Sequence, residues 1–168
     1  MGKVSLARID ERLIHGQVMM TLTQRAGVDS IFVVDDVVAN DKFMVDLYRS
    51  AGGRTGKKTV VMTTDRAKYY WDKYEFRDYN TILIARNVDV IYDLVTHGIP
   101  MEEINLGGMS KKSDDQKMYV GSVHVTEEDV RKLKELRDDY GSKNIYFQST
   151  PAAEKEDLNV AIKDFGLN

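Results

Sequence analysis

A chain of 168 residues with 24 Lys+Arg, 27 Asp+Glu and a formal charge of −3 suits one domain with an ordinary hydrophobic core, and its balanced charge gives no reason to expect a nucleic-acid partner. The absence of cysteine excludes a disulfide framework, thiol catalysis and Cys-ligated zinc or iron–sulfur centres. No apolar run exceeds four residues (Ile31–Val34, Ile82–Ala85), far below the length of about 20 that a membrane-spanning helix needs. The start, Met1–Leu6, has no apolar leader and reads directly as a strand, so the expectation is a soluble, cytoplasmic single domain over residues 1–168. The three histidines are then the obvious groups for chemistry near neutral pH.

Extended and helical patterns alternate along the chain. Val4–Ile9 reads as a strand, and Val18, Met19, Leu22 and Ala26 follow at helical spacing up to the stop signal Gly27. Ile31–Val34 is a buried-type strand closed by Asp35-Asp36, and Asn40 is the expected cap of a helix through Phe43, Met44, Leu47, Tyr48 and Ala51. Val60–Met62 is a third strand, followed by a helical face at Ala67, Tyr70, Trp71 and Tyr74. Thr81–Ala85 is a fourth, after which Asn87 caps a helix that Gly98 and Pro100 end. Ile104–Leu106 is a fifth strand, and the polar stretch Gly107–Lys117 leads into an extended Met118–Val125 with a turn at Gly121-Ser122. Thr126 with Asp129 opens a helix in capping-box fashion, carried by Val130, Leu133, Leu136 and Tyr140. Ile145–Phe147 is the last expected strand, and Thr150-Pro151 is the expected start of a short final helix. This alternation predicts an α/β fold: an open, mostly parallel twisted sheet with helices on both faces. In such sheets ligands bind beyond the carboxyl ends of the strands.

His15 falls at that favoured position, in the run Arg8-Ile9-Asp10-Glu11-Arg12-Leu13-Ile14-His15-Gly16-Gln17-Val18. Arg8 and Arg12 offer permanently charged, bidentate donors suited to phosphate oxygens. Gly16-Gln17 opens a helix whose free N–H groups favour an anion. Asp10 can accept a proton from one imidazole nitrogen and leave the other as nucleophile. His97, in the last turn of a helix, and His124, alternating with Val123 and Val125, read as structural. The three histidines lack any HxH or HExxH spacing, so no metal and no cofactor is expected. Gly53–Thr59 fails the P-loop spacing and follows a helix rather than a strand. It reads as a basic loop on the opposite edge of the sheet, and a nucleotide- or nucleic-acid-binding role for Arg54, Lys57 and Lys58 ranks low. Asp35 or Asp36 could accept phosphate in a receiver-like regulatory domain, which is the alternative reading. Tyr69-Tyr70-Trp71 reads as core and surface cover.

The run RIDERLIHGQV resembles the active-site loop of the IIB components of the mannose/fructose/sorbose family of the bacterial phosphoenolpyruvate-dependent sugar phosphotransferase system. Asp36–Asp41, Ile104–Met109 and the charged helix after Thr126 agree in order, so the resemblance spans nearly the whole chain. It implies a cytoplasmic relay enzyme, associated peripherally with a membrane transporter. A phosphohistidine IIA protein would donate phosphate to His15, and the phosphate would pass to a hexose or amino sugar delivered by membrane IIC and IID partners. By the same resemblance Arg12 and Asp10 are catalytic, with Arg8, Arg12, Gly16 and Gln17 around the phosphate. Gly52–Lys58 and Ser110–Lys117 depart from the family pattern as longer or more charged loops.

Overall fold

The computed structural model describes residues 1–168. Nine strands and seven helices follow in the order β1 (Lys3–Asp10), α1 (Gly16–Leu22), β2 (Ser30–Val34), α2 (Asp36–Ala39), α3 (Lys42–Gly53), β3 (Lys58–Met62), α4 (Thr64–Tyr74), β4 (Asn80–Ala85), α5 (Val88–His97), β5 (Glu103–Gly108), β6 (Lys117–Tyr119), β7 (Val123–Val125), α6 (Glu127–Asp139), β8 (Asn144–Phe147), β9 (Glu156–Asp157) and α7 (Leu158–Asp164). Seven strands form one sheet in the order β3-β2-β4-β1-β5-β8-β9, parallel except for the edge pair β8–β9. The expected architecture is therefore the observed one.

The two sheet faces follow from side-chain alternation. Ala7 and Ile9 point to the layer of α4, α5, α6 and α7, packing with Leu83, Leu94, Leu106, Leu133 and Ile162. Leu6 points to the opposite layer, where Leu13, Met19, Leu22 and Val38 cover Ile31, Ile82 and Ile84. Of the aromatic trio, Tyr70 and Trp71 pack around Phe32 and Phe76, while Tyr69 is exposed beside Arg66.

The strand order places a crevice between β1 and β5. The chain leaves β1 for α1 on one face, and leaves β5 for the β6–β7 hairpin and α6 on the other. Adjacent parallel strands whose connections depart to opposite faces leave an opening at their carboxyl ends. His15 lies at that end.

Several local expectations change. Asp41, not Asn40, caps α3 by accepting the Met44 N–H; Asn40 instead closes α2, a short helix without a periodic signature. Thr150-Pro151 does not begin the last helix, because β9 intervenes and Asp157 accepts the Asn159 N–H as the cap of α7. The Met118–Val125 segment is a separate two-stranded hairpin. The capping box at Thr126 and Asp129 and the Asn87 cap are formed as read.

Candidate functional site

The site is assembled on β1 and the turn that follows it. Arg8 and Asp10 are two residues apart on a strand and so share a face, the one covered by α1. Arg8 pairs in register with Asn105 on β5, and the register slips between Ile9 and Asp10 so that Asp10 sits against Gly108. This irregularity re-aims Asp10 past Gly107. The turn then tightens: the Leu13 N–H donates to the Asp10 carbonyl at 2.9 Å, and Leu13 adopts φ +56°. A leucine in the left-handed region is strained by about 1 kcal/mol or more, so the turn must be held by its surroundings. Leu13 and Ile14 are buried in the α1 layer and provide part of that hold.

His15 is the N-cap residue of α1, but its side chain does not cap the helix. Its Nε2 lies 3.1 Å from Asp10 Oδ2, so the Nε2–H donates to the carboxylate and Nδ1 is left without a partner. The imidazole keeps about a quarter of its surface exposed (24%). The same carboxylate accepts from the Arg12 backbone N–H, Arg12 Nε and Arg12 Nη2, each at 3.0 Å. It also accepts from Arg8 Nη2 at 3.0 Å. Asp10 is thus fully buried and surrounded by donors. Burial alone would raise its pKa, but the Arg12 hydrogen bonds, the Arg8 charge and the His15 hydrogen bond outweigh it and hold the carboxyl below its ordinary range.

The two arginines play unlike parts. Arg12 is half-exposed (55%), and its Nη1 remains free to donate. Its pKa is raised by the hydrogen bond to Asp10. Arg8 is fully buried: Nη1 donates to Asn105 Oδ1 at 2.5 Å, and Nη2 donates to Asp10 and to the Ser149 carbonyl at 2.7 Å. The expected contact between Arg8 and phosphate is therefore corrected, because its guanidinium is enclosed and lies beneath Asp10. Desolvation lowers the Arg8 pKa against the pull of Asp10, yet a guanidinium remains charged at neutral pH.

Gly107 and Gly108 make this stacking possible. A Cβ on Gly107 would lie 2.1 Å from Arg8 Nη2, and one on Gly108 would lie 2.9 Å from Asp10 Oδ1 and 3.1 Å from Arg12 Nη2. Gly16, at φ +51°, and Gln17 are exposed beside His15 at the start of α1. They also border a cavity of about 300 Å³ with Met20, Ala51, Arg54 and Thr55. The basic turn after α3 thus comes to the flank of α1, rather than lying wholly apart on the opposite edge.

The remaining candidates are structural. Asp35 caps α2 through the Val38 N–H at 2.9 Å and lies 3.1 Å from Arg86 Nε. Asp36 accepts the Thr64 N–H at 2.8 Å and the Thr64 hydroxyl at 3.0 Å, tying α2 to α4. Both carboxylates are committed to holding elements together, and the receiver-like alternative is not favoured. His97 meets Asp72 at 2.9 Å between α5 and α4, and His124 Nδ1 donates to the Met109 carbonyl at 3.0 Å. No group of three or more His, Asp or Glu side chains is arranged to hold a metal ion, and no helix is long and apolar enough to cross a membrane.

The fold is thus an open, mostly parallel α/β sheet that carries at its crevice a histidine bonded to a buried carboxylate and flanked by an exposed arginine. Residues 4–166 match the family described as the PTS system sorbose subfamily IIB component, and the chain belongs to that family. It is 32% identical over 139 residues to the fructose-specific EIIB component of Bacillus subtilis, covering 82% of this chain and 83% of the relative. It is 30% identical over 155 residues to the N-acetylgalactosamine-specific IIB component 1 of Escherichia coli, covering 92% and 96%. The solved structure of manxB from Thermoanaerobacter tengcongensis superposes with a TM-score of 0.87 at 33% identity, covering 97% of this chain and 96% of that one.

Asp10→Ala strips the buried Arg8 of its carboxylate and should cost about 3–5 kcal/mol in chemical denaturation at neutral pH. Because the folded Asp10 carboxyl titrates below its unfolded value, its stabilisation is complete above about pH 4 and falls away as pH drops through the folded pKa. Asp10→Asn should flatten that part of the acid limb of the stability profile. Gly107→Ala should cost about 1–3 kcal/mol by overpacking against Arg8, whereas Gly53→Ala, where a Cβ meets nothing within 4 Å, should not show that penalty.

Proposed function

We propose that this chain is a phosphoryl relay in which His15 takes phosphate from a phosphohistidine IIA protein and passes it to a sugar. The observation that carries the reading is the bond between His15 Nε2 and Asp10, which leaves Nδ1 bare at the mouth of the crevice. With Nε2 protonated, the Nδ1 lone pair attacks the donor's phosphorus in line. The new Nδ1–P bond forms as the donor's N–P bond breaks, and the electron pair of that bond returns to the donor imidazole.

Charge spreads over the equatorial oxygens during such a transfer, so positioning and electrostatics dominate the catalysis. Arg12, held on one edge by Asp10 and free at Nη1, is the donor assigned to those oxygens in this reading. The uncapped first-turn N–H groups at Gly16 and Gln17 add local donors. Asp10 offsets the positive charge that the imidazole gains as the bond forms. The phosphoramidate is then attacked by a sugar hydroxyl oxygen: the O–P bond forms and the hydroxyl proton passes to solvent, while the Nδ1–P bond breaks with its electron pair left on Nδ1, so His15 returns to its starting state. Arg12 is half-exposed, which suits a relay, since phosphate bound too tightly would not move on.

A site open at the surface suits successive visits, on the cytoplasmic side of the membrane, by a IIA donor and a membrane-embedded IIC/IID acceptor. The names of the relatives, fructose-specific and N-acetylgalactosamine-specific, support a hexose or amino sugar as the acceptor class. The reading needs no cofactor.

The test is phosphate transfer from a purified phosphorylated IIA protein. One acid-labile, base-stable phosphate should appear on the wild-type chain and none on His15→Ala. Arg12→Ala should slow labelling at least about tenfold. A label that survives in His15→Ala, or one that is base-labile, contradicts the proposal.

A further inference from the structure

Glu11, between Asp10 and Arg12, turns away from the histidine and grips another part of the chain. Its Oε1 accepts the Ser110 N–H at 3.1 Å, and its Oε2 accepts the Ser110 hydroxyl at 2.9 Å. The Lys112 ammonium donates to Oε1 as well. The Glu11 backbone N–H donates to the Gly108 carbonyl at 3.0 Å, so the backbone binds the end of β5 and the side chain binds the connection that follows it.

That connection is itself ordered. Gln116 Oε1 accepts the N–H groups of Lys112 at 2.6 Å and Ser113 at 3.2 Å, and its Nε2 donates to the His124 carbonyl at 3.4 Å. The Met109 N–H donates to Ser122 and the His124 N–H to Met109, fixing the loop to the β6–β7 hairpin. Glu11 therefore holds a braced segment, not a loose one. Burial opposes its ionisation, but the hydrogen bonds from Lys112 and Ser110 prevail and keep its carboxyl below the ordinary range. The need for such a grip is visible in the turn, where Leu13 sits at φ +56° and Arg12 and His15 both reach back to Asp10. A turn under strain relaxes unless its ends are anchored, and transfer chemistry can lose about a hundredfold in rate for a displacement near 1 Å.

We propose that Glu11 is a positioning residue for phosphoryl transfer at His15, splinting the Asp10–His15 turn to the 110–117 loop so that Arg12 and the imidazole keep their mutual placement. The proposal rests on the reading of His15 as the phosphate acceptor. Glu11 does not touch the phosphate; it acts through Arg12 and His15. The charged 110–117 loop thereby becomes part of the machinery that sets the rate.

The experiment measures initial labelling rates over a range of phosphorylated IIA concentrations. Glu11→Ala should lower kcat about tenfold and leave KM for the donor within about twofold, with the thermal transition still cooperative and above the assay temperature. Glu11→Gln, which keeps one carbonyl acceptor for Ser110, should recover part of the rate. Lys112→Met should cost less than Glu11→Ala, and the double variant should be no slower than Glu11→Ala alone. If Glu11→Ala fails to fold, Ser110→Ala combined with Lys112→Met carries the same expectation for kcat. A wild-type kcat in these variants, or a loss confined to KM, overturns the positioning role. Absence of label on wild-type His15 overturns the acceptor reading, and this proposal with it.

Discussion

The buried carboxylate of Asp10 is the constraint on which the rest of the site depends. Four donors from three residues (Arg8, Arg12 and His15) converge on it through side chains, and a fifth comes from the Arg12 backbone. A carboxylate taken wholly out of water is costly unless every lone pair is used, and here the surrounding donors meet that demand. Each partner is in turn fixed by the demand. Arg8 is drawn under the sheet crevice, Arg12 is folded back along its own turn, and the His15 ring is rotated so that Nε2 faces inward. The charge at Asp10 is the physical reason for a buried arginine and an oriented histidine to occur within eight residues.

The fold supplies the geometry for that convergence. Parallel strands β1 and β5 present Arg8 against Asn105 and Asp10 against Gly108, and the opposite exits of their connections open the space above. Two glycines in β5 remove the side chains that would otherwise occupy the place of the Arg8 and Asp10 groups. Asn105 completes the layer: it accepts from Arg8 and donates to the Gln148 carbonyl, while Arg8 reaches the Ser149 carbonyl. The end of β8 is thus joined to the base of the site by partly buried hydrogen bonds. An order of β1, β5 and β8 in the sheet is what brings these three strand ends together.

Much of this was legible in the sequence, and the misses have definable physical causes. The alternation of apolar runs with helical spacing gives the open parallel sheet, because burial on both faces leaves a strong periodic signal. His15, Asp10 and Arg12 are recognisable because they sit on one short turn at a strand's carboxyl end. The burial of Arg8 has no local signature, since an arginine in a strand ordinarily marks a solvent edge and its partners Asn105 and Ser149 are distant in sequence. Asp41 displaces Asn40 as a cap because two adjacent cap-type residues leave the boundary open to a shift of one. The short α2 and β9 carry too few residues for any periodicity. Glu11 has no local signature, since its partners Ser110 and Lys112 lie about a hundred positions away. Asp35 and Asp36 look like a phosphate- or cation-binding pair in sequence, and only their bonds to Val38 and Thr64 show them to be ties between elements.

The assignment of roles to the two imidazole nitrogens is the point at which the packing argument meets the chemistry. Nitrogen-15 NMR of the unphosphorylated protein, with His15 assigned by comparison with His15→Ala, reads the tautomer directly. The Asp10 arrangement predicts that, in the neutral ring, Nε2 carries the proton and Nδ1 does not, and that phosphorylation shifts the Nδ1 resonance. A proton on Nδ1 in the neutral ring, or phosphate attached at Nε2, would contradict it.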